Sequence, residues 1–221
     1  MPRLATLESR NDFVRGVYLL LSIEFTTIAL ASLFPLLNRE LCTSLQNNIE
    51  VFVITSLSLL VLIAIAACFA LHRRVPWNAP MLAVFTIGWC ILMATVSAAA
   101  ESYGAVFVFA TLAVICLLIA IISCVEHWNP MNWISVLVLL ILVLVFYIFA
   151  FFFIKESPEV KSIALALSLV LILYLLIDTV SIMARPNLKL ESDEVVFGVL
   201  TLHLDGLVLI ADEVVTKCSR A

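Results

Sequence analysis

Ser162 to Ala184 reads SIALALSLVLILYLLIDTVSIMA, and Val195 to Ala211 reads VVFGVLTLHLDGLVLIA. Each run is long and apolar enough for a helix buried in a bilayer, and each carries one aspartate, Asp178 and Asp205. A carboxylate in hydrocarbon costs several kcal/mol even on gentle scales, on the order of +3 kcal/mol for Asp at a helix centre. Such residues persist where they face a bundle interior or a water path and find a partner. Two of them in consecutive helices therefore mark a candidate site.

The rest of the chain has the same character. It has 221 residues, of which 64% are hydrophobic and 13% charged. Its mean hydropathy is +1.20. Soluble domains are roughly half apolar and a quarter charged, so the composition points to a multi-pass membrane protein. The formal net charge of −4 gives no sign of nucleic-acid binding. A hydrocarbon core about 30 Å thick needs about 20 apolar residues of helix. Runs of that kind cover roughly 17–37, 51–71, 79–100, 104–125, 133–154, 162–184 and 195–212. The pattern predicts an all-α membrane protein: one seven-helix bundle over 17–212, a short cytosolic N-terminus over 1–16 and a short tail over 213–221. Arg3, Arg10 and Arg15 ahead of the first run resemble a signal peptide, but Glu24 interrupts its core and apolarity continues to Leu37, so a retained first helix is expected.

Loops are short and hold Trp77, Trp128 and Trp133 at the expected membrane interfaces. Seven Lys or Arg residues fall on one side (Arg3, Arg10, Arg15, Arg73, Arg74, Arg185, Lys189) and five on the other (Arg39, Lys155, Lys161, Lys217, Arg220). That bias favours a cytosolic N-terminus. Four of the six cysteines lie in apolar runs and no CxxC occurs, so they read as small buried hydrophobes. No cofactor is implied, and no sequon for N-glycosylation is present.

With this orientation Asp178 lies roughly 10 Å from the cytosolic boundary, Asp205 about 15 Å in, and Glu24 roughly 10 Å deep, at 1.5 Å of rise per residue. Arg73 and Arg74 cap the second helix on the same side. Two carboxylates in contact share a proton and titrate as one coupled pair. Protonation would then switch between a closed, hydrogen-bonded pair and a separated, anionic one, whose oxygens suit calcium as a transient ligand. The plainer alternative is that each aspartate caps a neighbouring helix or bonds a Ser or Thr. Glu24 has a plain role too, pairing with Arg15 or Arg73. His203, two residues from Asp205 and so on another face of the helix, reads as a satisfied bundle histidine more than a ligand, with a possible modulating place beside the pore. Gly198 and Gly206 read as sites of close helix packing.

Four short motifs carry a resemblance. Asp12-Phe13-Val14-Arg15-Gly16-Val17-Tyr18 is similar to "FxRKVY", and Arg73-Arg74-Val75-Pro76-Trp77-Asn78 to "RRxxPxN". Ile177-Asp178-Thr179 matches "DT", and Phe197-Gly198-Val199-Leu200 followed by Leu204-Asp205 matches "FGAL…YLD". In this order and spacing they resemble the Bax-inhibitor-motif family, also called lifeguard, over nearly the whole chain. The resemblance implies a seven-helix bundle with the last helix at its centre. It also implies a pH-sensitive calcium leak channel of the endoplasmic reticulum, Golgi or plasma membrane that lowers store calcium and restrains apoptosis. By motif match Asp178 and Asp205 become the gate and pH sensor, supported by Arg73 or Arg74. The implied partners are the lipid bilayer, calcium ions and membrane proteins of the cell-death machinery.

Departures from the family pattern are Gly16 for a basic residue, Glu24 where glutamine is common, and His203 and Gly206 for bulkier residues. Divergent members of this kind occur in large DNA viruses such as cytomegalovirus, which makes a viral channel one expectation. A non-conducting regulator acting through membrane partners is the main alternative. An intramembrane aspartyl protease also carries two aspartates on neighbouring helices, but the chain has neither GxGD nor PAL, and a non-enzymatic role is expected. A seven-helix receptor is a further, weaker reading.

Overall fold

In the computed structural model, residues 7–69, 77–124, 156–184 and 195–203 are described, with 137, 141, 144, 145, 148 and 152 between them. All the regular structure is helical: α1 (Leu7–Leu37), α2 (Arg39–Asn47), α3 (Ile49–Phe69), α4 (Asn78–Ala100), α5 (Gly104–Ile122) and α6 (Pro158–Ala184), followed by helical residues 195–203. Among the described residues, four helices are long and apolar enough to cross a membrane: Asn11–Leu37, Asn78–Ala100, Gly104–Ile122 and Pro158–Thr179. Of the seven expected spans, most of the fifth and the second half of the seventh lie outside the described residues.

The apolar runs become helices because nothing else satisfies a backbone in hydrocarbon. Their hydroxyls are satisfied in the same way. Thr26, Ser32, Thr95, Thr111, Ser168 and Thr201 each donate to the carbonyl four residues back, at 2.7–2.8 Å. Two of the described prolines stand where a missing N–H costs least, at the first position of α6 (Pro158) and in the first turn of α4 (Pro80), while Pro35 lies inside α1, two residues before its end.

The residues 137, 141, 144, 145, 148 and 152 recur at helical spacing, and all six are exposed and apolar. Ile163, Leu167, Val170, Tyr174 and Ile177 do the same on α6. Stripes of this kind would be an aggregation hazard in water; here they are surfaces for lipid tails.

Side-chain pairings set the directions. Ser22 of α1 donates to the Ala113 carbonyl of α5 at 2.9 Å, and Phe25 lies 6.0 Å from Phe109, so α1 and α5 are antiparallel. Tyr18 meets Leu175 and Thr179 of α6. Residues 195–203 run parallel to α1: a Cβ on Gly16 would lie 2.5 Å from Val195 Cγ2, and eight residues further along both segments Glu24 meets His203, while a Cβ on Gly198 would lie 2.7 Å from Phe13 Cζ. Lipid tails are as apolar as leucine, so close packing rather than water exclusion joins membrane helices, and glycine permits it. Residues 197–202 are buried on every side. The described part of the last helix therefore sits in the middle of the bundle, as the family resemblance implied.

Two details differ from the sequence expectation. The first helix begins at Leu7, ten residues before the apolar run. A short helix, α2, occupies what read as a loop. Its N-cap Asn38 accepts from the Glu40 and Leu41 amides at 3.1 and 3.2 Å, and Gln46 ties it to α4 through the Ala98 carbonyl at 2.9 Å. Asn38→Ala should fray α2 at a local cost of about 1 kcal/mol. The expected readout is faster amide exchange at Glu40 and Leu41 with the spans unaffected; unchanged exchange there would refute the cap.

Candidate functional site

Asp178 is 7% exposed, on the face of α6 that packs inward beside Thr179. Thr179 has one hydroxyl proton and gives it to the Leu175 carbonyl at 2.7 Å. The Tyr18 hydroxyl lies 3.0 Å from Thr179 Oγ1 and 3.4 Å from the same carbonyl, so the two hydroxyls and the Leu175 carbonyl form one hydrogen-bonded cluster. Asp178 is also within electrostatic reach of Tyr18. Tyr18 thus ties the start of α1 to the aspartate-bearing turn of α6.

Glu24 is not on that level. It lies six residues further along α1 than Tyr18, about 9 Å. Of its two expected partners, Arg73 lies outside the described residues and Arg15 is engaged elsewhere. Arg15 bonds Asp12 at 2.9 Å on the exposed face, whereas Glu24 Oε1 lies 3.5 Å from His203 Nε2 and accepts from the Thr86 hydroxyl at 3.0 Å. The Glu24 side chain is 3% exposed and that of His203 13%. Glu24 Oε2 is buried with no hydrogen-bond partner among the described residues. Phe85 of α4 packs edge-on to the imidazole, with ring centroids 5.2 Å apart.

His203 is therefore a bundle histidine that bonds its own helix through Nδ1 and faces the buried Glu24 carboxylate through Nε2. Sequence reasoning kept both residues as secondary and did not join them. The two are far apart in the chain, and only the parallel packing of 195–203 on α1 brings them together.

A cavity of about 620 Å³ opens beside this pair, between α1, α4, α5 and α6. It runs from Gly104 and Val160 to Leu202 and His203, and its wall is almost wholly hydrocarbon. Apolar cavities of this kind stay dry, so the polar end at His203 is where its chemistry lies. Among the described residues no group of three His, Cys, Asp or Glu side chains is placed to hold a metal ion. Asp205, Arg73, Arg74 and Gly206 lie outside the described residues, so the Asp178–Asp205 pairing and its arginine stand as expectations.

The family model described as "Inhibitor of apoptosis-promoting Bax1" matches residues 10–212. The chain belongs to this family. Among curated proteins it is similar to Protein lifeguard 3 of Mus musculus, 24% identical over 114 residues. That match covers 51% of this chain and 37% of the relative, so the chain spans well under half the length of the curated protein it matches. No solved structure matches it. As a Bax inhibitor family member with four apolar, membrane-length helices among its described residues, the chain is a multi-pass membrane protein.

Three of the four motifs that carried the resemblance touch one another. Tyr18 of the first bonds Thr179 of the third. Phe13 of the first closes on Gly198 of the fourth. The departure at Gly16 has a structural counterpart as well, since any side chain there would collide with Val195.

Proposed function

We propose that this Bax inhibitor family protein regulates cell death from within a membrane of the endoplasmic reticulum, its N-terminus cytosolic, by leaking calcium. In this reading the leak lowers store calcium, and a proton shared by Asp178 and Asp205 gates it. The observation that carries the reading is a carboxylate, Asp178, buried among membrane-length helices and fastened through Thr179 and Tyr18 to α1. A charge in that position is costly, and its retention is accounted for by a role in moving ions or protons. Asp178 and Asp205 are transient calcium ligands in this scheme, and no cofactor or catalysis is invoked. The second reading, a non-conducting regulator acting on cell-death proteins in the bilayer, rests on the apolar wall of the cavity, which offers an ion no ligands.

Calcium flux into liposomes carrying the full chain, measured from pH 5 to pH 9, separates the two. A leak that rises with pH and is suppressed by Asp205→Asn supports the channel. No flux above that of empty liposomes at any pH rejects it in favour of the regulator.

A further inference from the structure

The contact between Glu24 and His203 can be counted in protons. His203 Nδ1 lies 2.9 Å from the Val199 carbonyl oxygen. A carbonyl only accepts, so with the ring in this orientation Nδ1 carries a proton. If the imidazole is neutral, Nε2 is then a bare lone pair, and it faces Glu24 Oε1 at 3.5 Å. A lone pair against a carboxylate repels. The contact becomes attractive only with one further proton, on Nε2 as an imidazolium or on Glu24 as a carboxylic acid. Thr86 cannot supply it, because its single proton is already contested by the Leu82 carbonyl at 2.9 Å and by Glu24.

We propose that Glu24 and His203 form a proton-operated latch that holds residues 195–203, and with them the start of the last helix, against α1. The sign follows from the count. With the shared proton present the pair attracts. A second proton leaves an N–H facing a carboxyl oxygen, so the latch stays closed at low pH. Loss of the shared proton as pH rises leaves a buried carboxylate against a lone pair, and the latch releases.

The surroundings leave this pair to set the response. No Lys or Arg occurs in α1 after Arg15, in α4, in α5, or in α6 after Lys161. α3 adds only Glu50 and Cys68. Among the described residues, the Cys90 thiol of α4 and the Cys116 thiol of α5 also lie within electrostatic reach of Glu24. Tyr18 is six residues, about 9 Å, along α1 from Glu24, and Asp178 lies on Tyr18's level. Beyond the described part of the last helix, Asp205 follows His203 by two residues.

The latch deepens the pH-gating reading but needs no ion flow, so the two fail separately. The test is amide hydrogen exchange of residues 199–203 in the full chain held in lipid nanodiscs, corrected for intrinsic exchange across pH 6–9. In the wild type, opening should rise about tenfold per pH unit once the shared proton is lost, the slope for one linked proton. In Glu24→Gln the amide donates to Nε2 without a titrating proton, and protection should persist across the range. His203→Gln donates to the Glu24 carboxylate in the same way and decides the matter alone if Glu24→Gln is not recovered folded. A wild type with flat opening overturns the latch. So does Glu24→Gln or His203→Gln following the wild-type slope, or either variant open at every pH.

Discussion

Asp178→Asn should leave a calcium leak that is low and flat with pH. The wild-type leak, in the proposed scheme, rises as the Asp178–Asp205 pair loses its shared proton and separates. An asparagine in that place donates its amide to Asp205 whatever the pH, so the pair stays joined and the separated state with two carboxylates never forms. Where the wild-type leak is maximal the variant should fall roughly tenfold or more, the change expected for at least one pK unit of coupling between such groups. Tyr18→Phe makes a useful companion, because it removes the hydroxyl that bonds Thr179 and leaves the carboxylate in place. The liposome assay that measures wild-type flux measures both. If Asp178→Asn keeps the wild-type pH profile, Asp178 is a structural group and the gate lies elsewhere.

Gly198→Leu should prevent the bundle from assembling. A Cβ alone at this position would lie 2.7 Å from Phe13 Cζ and 2.9 Å from Val17 Cγ2. Phe13 and Val17 are each 1% exposed and have nowhere to go. Overpacking of a filled core costs about 1–3 kcal/mol for a few methylenes, and a leucine here must push two helix backbones apart. The expected result is loss of monodisperse protein in detergent, or a melting transition lowered by many degrees. Gly104→Ala is the control. Its added Cβ would sit 3.3 Å from a Val160 methyl at the end of α5, and it should melt close to wild type. Wild-type melting of Gly198→Leu would mean that 195–203 does not seat on α1 as described.

Much of this was legible in the residues. Runs such as Gly104–Ile122 are too apolar for anything but a buried helix, and their order decided the membrane class. The spacing of Asp12–Tyr18, Asp178-Thr179 and Phe197–Leu200 carried the family. What misled was the use of apolar stretches as helix boundaries. They mark the hydrocarbon, not the helix, and the polar turns LESRNDFVR ahead of the first run belong to the same helix. Arg15, offered with Arg73 as a partner of Glu24, belongs to those polar turns and faces outward with Asp12. Likewise the polar stretch Arg39–Asn47 gave no apolar signal, and only the cap at Asn38 would have announced a helix there.

By itself the sequence determined that the chain lives in a bilayer, that its spans are helices, and that its buried acids are few enough to name. Composition and run length settle those points, since hydrocarbon forbids other backbones and penalises every charge. Which faces meet was decided by tertiary structure alone. Helices that are apolar all round carry no stripe to show their inward side, so nothing local says that Gly198 seats on Phe13. The union of Glu24 with His203 depends on that seating, because two glycines let the last helix lie close enough along α1 for its histidine to reach the buried carboxylate.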